Sequence, residues 1–157
     1  MYIKKFLITF GTSSKVINMM SLFKAFLKKA NFFETKVCIT TQRNLMLNQA
    51  LDFFEFVPDV DLDLMKFYQN HYSLTADIKS FLKEIKRDIV YLYSDIMTTM
   101  APSIKSFHTR AMIYHVESGS RIFKKRLPYP EEINRSVIKC IAGYHFLTYN
   151  HLEAVLN

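Results

Sequence analysis

Short, nearly uninterrupted apolar runs alternate along this chain with longer stretches in which apolar residues return every three or four positions. The first run, over residues 3–10, ends at Gly11-Thr12-Ser13-Ser14, after which Ile17, Met20, Phe23, Phe26, Leu27 and Ala30 recur at helical spacing. That reads as strand, turn and amphipathic helix. The pattern repeats with a strand over 35–40, a helix over 43–54, a short extended piece at 61–65 and a helix over 74–85. A strand over 89–93, a helix over 98–107, a strand over 111–116, a helix over 130–142, a strand over 144–148 and a helical stub from 151 complete the series. Strands that are apolar throughout must be covered on both faces, and strand–helix alternation implies right-handed crossovers between parallel strands. The expected fold class is therefore α/β, a three-layer Rossmann-like parallel sheet with helices on both faces.

Half of the 157 residues are hydrophobic, enough for one good core, so residues 1–157 are expected to form a single domain. The net charge of +7 is scattered over Lys24, Lys28, Lys29, Lys79, Lys83, Lys86 and Arg87, and only Lys124-Lys125-Arg126 forms a short run. Such a solvated surface does not call for nucleic acid, and it suits an anionic small molecule equally well. Cys38 and Cys140 lack both metal-ligand spacing and the density of a disulfide scaffold, so both are read as small apolar residues. Lys4 and Lys5 before an apolar run mimic a signal peptide, but the run is too short and no small-residue cleavage site follows. No run approaches the roughly 18 residues that a membrane helix needs. A cytoplasmic setting is the expectation, with no membrane partner. The chain stops at Asn157 about one turn into its last helix, without a cap or breaker, and so looks cut short.

The residues that carry chemistry fall at element ends. His115-Val116-Glu117-Ser118-Gly119-Ser120-Arg121 closes one strand, and Pro128-Tyr129-Pro130-Glu131-Glu132-Ile133-Asn134-Arg135 opens a helix with Pro130 in its first turn. Open parallel sheets place their ligand crevice at the carboxyl ends of the strands. Asp95, after the strand 89–93, belongs to the same rim, as does the turn Gly11-Thr12-Ser13-Ser14. Three carboxylates, Asp95, Glu117 and Glu131, thus converge from separate loops, and such groups can act as general acid and base. Each has a plainer reading. Asp95 could cap the following helix, Glu131 and Glu132 could answer a helix dipole, and the Gly11 turn could be an ordinary turn capped by Ser or Thr. Arg135, four residues after Glu131, could pair with it or present a fork to a phosphate or carboxylate. His115 could be a satisfied buried histidine or a member of the site. His71, His108, His145 and His151 show no metal spacing, so no metal and no cofactor are expected.

Several motifs together resemble the N-terminal domain of the non-hydrolysing UDP-N-acetylglucosamine 2-epimerases, a family of GT-B fold. They are Phe10-Gly11-Thr12, Lys36-Val37-Cys38-Ile39-Thr40-Thr41-Gln42, Met46-Leu47, Val57-Pro58-Asp59, Asp95, Thr98-Thr99, the 115–121 motif and Pro130 to Arg135. The resemblance implies inversion at C2 of UDP-N-acetylglucosamine by elimination and re-addition of UDP. Asp95, Glu117 and Glu131 match the family's catalytic carboxylates, and Gly11, Thr12, His115, Arg121 and Arg135 its substrate-binding positions. It also implies a missing second domain that binds uridine and diphosphate, and a possible homodimer. Two family cations are absent: Ser13 stands at an arginine position and Asn18 at a helical lysine, with Lys15 in a different turn of the helix. Weak or no binding of UDP-N-acetylglucosamine and negligible activity are therefore expected of the chain alone. A non-catalytic binding module, or a half-enzyme completed by a separately encoded domain, is the alternative.

Overall fold

The computed structural model describes residues 3–40, 45–62, 87–93, 95–116 and 128–146. Their strands are β1 (Lys4–Phe10), β2 (Phe33–Ile39), β3 (Val60–Asp61), β4 (Ile89–Tyr93), β5 (Met112–Val116) and β6 (Tyr144–Phe146). The helices are α1 (Ser13–Leu27), α2 (Leu45–Phe53), α3 (Met97–His108) and α4 (Glu131–Ile141). The strands form one sheet of order β3-β2-β1-β4-β5-β6, and every neighbouring pair is parallel. The expected helix over 74–85, the stub from 151, and the site candidates Glu117 and Arg121 lie outside the described residues.

Alternation along β1 divides the core. Phe6, Ile8 and Phe10 point to one face and pack with Val16, Met19, Met20 and Phe23 of α1 and Leu47 and Leu51 of α2. Leu7 points to the other, where Cys38, Val90, Leu92 and Ile113 meet Ala101 of α3 and Ile138 of α4. This two-sided burial is why the strands carry apolar residues at nearly every position. Aromatic rings reinforce the first face: Phe6 stacks on Phe33 at 4.7 Å between centroids, and Tyr91, Tyr114 and Tyr144 follow one another across β4, β5 and β6 at 5.0 and 4.7 Å.

Strand order reverses direction between β1 and β4, so the connections leaving these two neighbours diverge to opposite faces and open a crevice at their carboxyl ends. Gly11 and Thr12 follow β1 there, and Asp95 follows β4.

Candidate functional site

The rim is built from the end of β4 outward. Tyr93, the last residue of β4, is buried; its carbonyl accepts a hydrogen bond from the Thr99 hydroxyl at 3.3 Å, which draws the first turn of α3 against the strand. Its own hydroxyl accepts from the Asn18 side-chain amide of α1 at 2.7 Å, and the Lys15 ammonium lies 4.8 Å from its ring centroid. The cation–π contact and the amide bond tie α1 to β4 across the crevice.

The capping reading of Asp95 does not hold. The N-cap of α3 is Ile96, in extended conformation and without a side-chain cap hydrogen bond. The Asp95 carboxylate instead forms an ion pair with Arg135 of α4, and the Asp95 backbone carbonyl accepts from the Asn134 side-chain amide at 2.8 Å. Two consecutive side chains of one helix thus grip the loop after β4, one on the carboxylate and one on the backbone.

Arg135 also reaches back along its own helix. Nη1 lies 3.4 Å from Oε2 of Glu132, three residues earlier, while Nη2 serves Asp95. The helical partner is Glu132 rather than Glu131, which was one of the two alternatives for Arg135. Glu132 is fully buried; Glu131, the first residue of α4, is half-buried. Pro130 is the N-cap residue, one position ahead of the expected first-turn place, and its peptide bond with Tyr129 is cis.

The turn after β1 also departs from expectation. Thr12 is the N-cap residue of α1, but no side chain caps this helix; the Thr12 hydroxyl lies 3.4 Å from the Ser14 hydroxyl instead. The first turn of α1 carries no acidic residue, which leaves this end of the dipole compatible with an anion. Gly11 is buried beneath it.

His115 sits on β5 opposite Leu92 of β4 and His145 of β6, 1 % exposed, its ring centroid 6.1 Å from that of His145. It shares the face of Ile113, toward α3 and α4, one residue before the last residue of its strand. Burial lowers the pKa of His145 and nearby Lys139 lowers it further. Among the described residues no group of three or more His, Cys, Asp or Glu side chains could hold a metal ion.

Of the described candidates, the structure pairs Asp95 with Arg135, sets Glu131 one turn earlier on the same helix as Arg135, and leaves Gly11, Thr12 and Ser13 at the turn after β1 with Asn18 bonded to Tyr93. Tyr93, Glu132 and Asn134 are participants that sequence reasoning missed. A polar residue flanked by helical apolar positions, as Asn134 is by Ile133 and Val137, was the available signal.

Comparison with known proteins bears on the family and the fold. Residues 25–156 match the family model described as UDP-N-acetylglucosamine 2-epimerase. The UDP-N-acetylglucosamine 2-epimerase of Escherichia coli K12 is 42% identical over 146 residues, which cover 90% of this chain and 39% of that protein. That of Campylobacter jejuni is 36% identical, over 92% of this chain and 38% of its own length. The chain thus spans well under half the length of the relatives it matches. Among solved structures, the Neisseria meningitidis UDP-GlcNAc 2-epimerase bound to UDP-GlcNAc superposes with a TM-score of 0.82 at 34% identity, over 91% of this chain and 39% of that one. The S. aureus MnaA–UDP structure gives 0.85 at 33% identity, over 98% and 42%. The sheet with helices on both faces is accordingly the N-terminal part of a GT-B architecture.

Proposed function

We propose that this chain, which belongs to the UDP-N-acetylglucosamine 2-epimerase family, supplies the acid–base half of an enzyme that interconverts UDP-N-acetylglucosamine and UDP-N-acetylmannosamine. The observation that carries the reading is the clamp of α4 on the loop after β4, which gathers Asp95, Arg135 and the helix start bearing Glu131 at the switch point of the sheet. The reaction needs these groups. The proton at C2 is removed while the C1–oxygen bond to UDP breaks, giving a glycal; a proton then returns to C2 from the opposite face as UDP adds back. One carboxylate must take a proton and another must give one, from different elements on either side of the sugar. Asp95 and Glu131, which stand on separate elements, are the proposed pair, with Glu117, the residue after β5 in the sequence, as the third carboxylate. Gly11, Thr12, His115, Arg121 and Arg135 are the proposed substrate contacts.

The relatives from N. meningitidis and S. aureus bind UDP-GlcNAc and UDP respectively, which supports a sugar nucleotide as the ligand here. A GT-B enzyme works between two Rossmann-like domains, and a second domain holding uridine and diphosphate completes the cleft in this proposal. Pairing of two copies and a cytoplasmic setting belong to it as well; no helix among the described residues is long and apolar enough to cross a membrane. A second reading, a binding module without turnover, draws on one observation. The Asn18 amide is committed to Tyr93, so the family's lysine position offers no cation to a departing diphosphate.

The test is incubation with UDP-N-acetylglucosamine in deuterated water, followed by mass spectrometry for label at C2. The 157 residues alone are expected to give no label, and the chain with a family second domain supplied is expected to give it. No label from the folded, completed pair would replace the epimerase reading with the binding module.

A further inference from the structure

Helix α4 buries the wrong residues for a helix that is only packing. Ile133 is 36% exposed, while its neighbours Glu132 and Asn134 are 0% and 1% exposed. Turning an isoleucine outward and a carboxylate inward runs against the transfer preferences of both groups, so it persists only where the buried polar groups have defined partners. Those partners are at the crevice. Asn134 donates to the Asp95 carbonyl at 2.8 Å, and Glu132 lies 3.4 Å from Arg135 Nη1 while Arg135 Nη2 pairs with Asp95.

We propose that Glu132 is a positioning residue: its buried carboxylate fixes the Arg135 guanidinium from behind, so that the opposite edge of the fork is held toward Asp95 and the crevice. Three features support this assignment. The two Arg135 contacts use different terminal nitrogens, so one planar group is gripped from two sides, and a planar fork held at one edge has its other edge oriented. The two anchors differ in environment, since the Glu132 side chain is 0% exposed and the Asp95 side chain 18%, which makes Glu132 the solvent-shielded partner and Asp95 the one a ligand can reach. Glu132 is itself held by its backbone, its N–H donating to the Pro128 carbonyl at 3.1 Å and its carbonyl accepting from the Ser136 hydroxyl at 2.9 Å. A dipole-answering glutamate in a first turn needs none of this, and Glu131 next to it is only half-buried.

The geometric claim stands without any reaction; its consequence for turnover rests on the epimerase reading. Both are tested on the full chain. Nitrogen-15 NMR follows the Arg135 side-chain N–H signals, identified by their loss in Arg135→Lys. The wild-type chain is expected to show them as slowly exchanging, Asp95→Asn is expected to keep them, and Glu132→Gln is expected to lose them while backbone amide dispersion stays native. Persistence in Glu132→Gln, loss in Asp95→Asn, or absence from the wild type would overturn the assignment. If Glu132→Gln does not fold, the Asp95→Asn result decides alone. With a second domain supplied, Glu132→Gln should slow C2 labelling on the order of tenfold or more through kcat with KM little changed, and Glu132→Asp should recover part of it. A wild-type pair that never labels UDP-N-acetylglucosamine sinks the epimerase reading and leaves the NMR test of Glu132 intact.

Discussion

Arg135 is the cation that two carboxylates at this rim share, and its removal should be felt beyond the site. Both its side chain and that of Asp95 are less than a fifth exposed, and Glu132 is not exposed at all. Taking away one member of a buried charge group strands the others, whereas replacing the group together is far less costly. Arg135→Ala should therefore lower unfolding free energy by on the order of 3 kcal/mol, and Arg135→Met combined with Glu132→Leu and Asp95→Asn by clearly less, both read from urea melts. Equal losses from the two would show that the pair has no such role. The two cysteines make a second residue-scale contrast. Cys38 is buried in β2, and burial pushes its thiol pKa up, with the Asp61 charge adding to the effect; Cys140 is exposed on α4. Because the thiolate is the reactive form, a disulfide reagent should modify one thiol quickly in the native chain and two after denaturation. Two fast thiols in the native chain would contradict the burial of β2.

At the scale of elements, β6 is the place where pH should act. His145 has its pKa lowered by burial and by Lys139, so the folded state disfavours its charged form. A depressed folded pKa means that the unfolded chain takes up the proton first. Stability from this group is present above its ordinary value near 6.5 and is lost as pH falls through the lower folded value. The wild-type chain should lose stability between about pH 7 and 5 more steeply than His145→Asn, measured as the denaturation midpoint across that range. Equal slopes would remove His145 as a contributor. The elements themselves were largely legible. Residues 89–93 form a strand as expected, because a strand with both faces covered announces itself as an unbroken apolar run. Misjudged edges have tertiary causes: β2 begins at Phe33, earlier than expected, because Phe33 pairs with Lys4 and its ring stacks on Phe6. What could not be read was which of two adjacent glutamates turns inward. Helical spacing places Glu131 and Glu132 only about 100° apart, so the choice is made by what α4 packs against, and Ile138 rather than Ile133 settles on the sheet. The same limit hid Tyr93, whose role depends on α1 meeting the end of β4.

For these 157 residues as a whole, the proposed function has a sugar nucleotide meet one wall of a two-walled cleft. The described wall offers carboxylates and Arg135, but Ser13 and Asn18 supply no charge, and the Lys15 ammonium lies over the Tyr93 ring. A ligand left open to water on one side loses the low-dielectric strengthening of its charge contacts, and its diphosphate is where those contacts matter most. Binding to these 157 residues should then be no tighter than about 1 mM. Ligand that binds only the folded state adds RT ln(1 + [L]/Kd), so 1 mM UDP-N-acetylglucosamine should add at most about 0.4 kcal/mol. In a domain of this size that moves the melting midpoint by about 1–2 °C or less. Scanning calorimetry with and without 1 mM ligand checks this. A shift of several degrees would mean that the first wall binds the sugar nucleotide by itself, without cations at Ser13 and Asn18. A shift that stays small in the chain alone but grows when a second domain is supplied would instead place the binding energy in closure of the cleft.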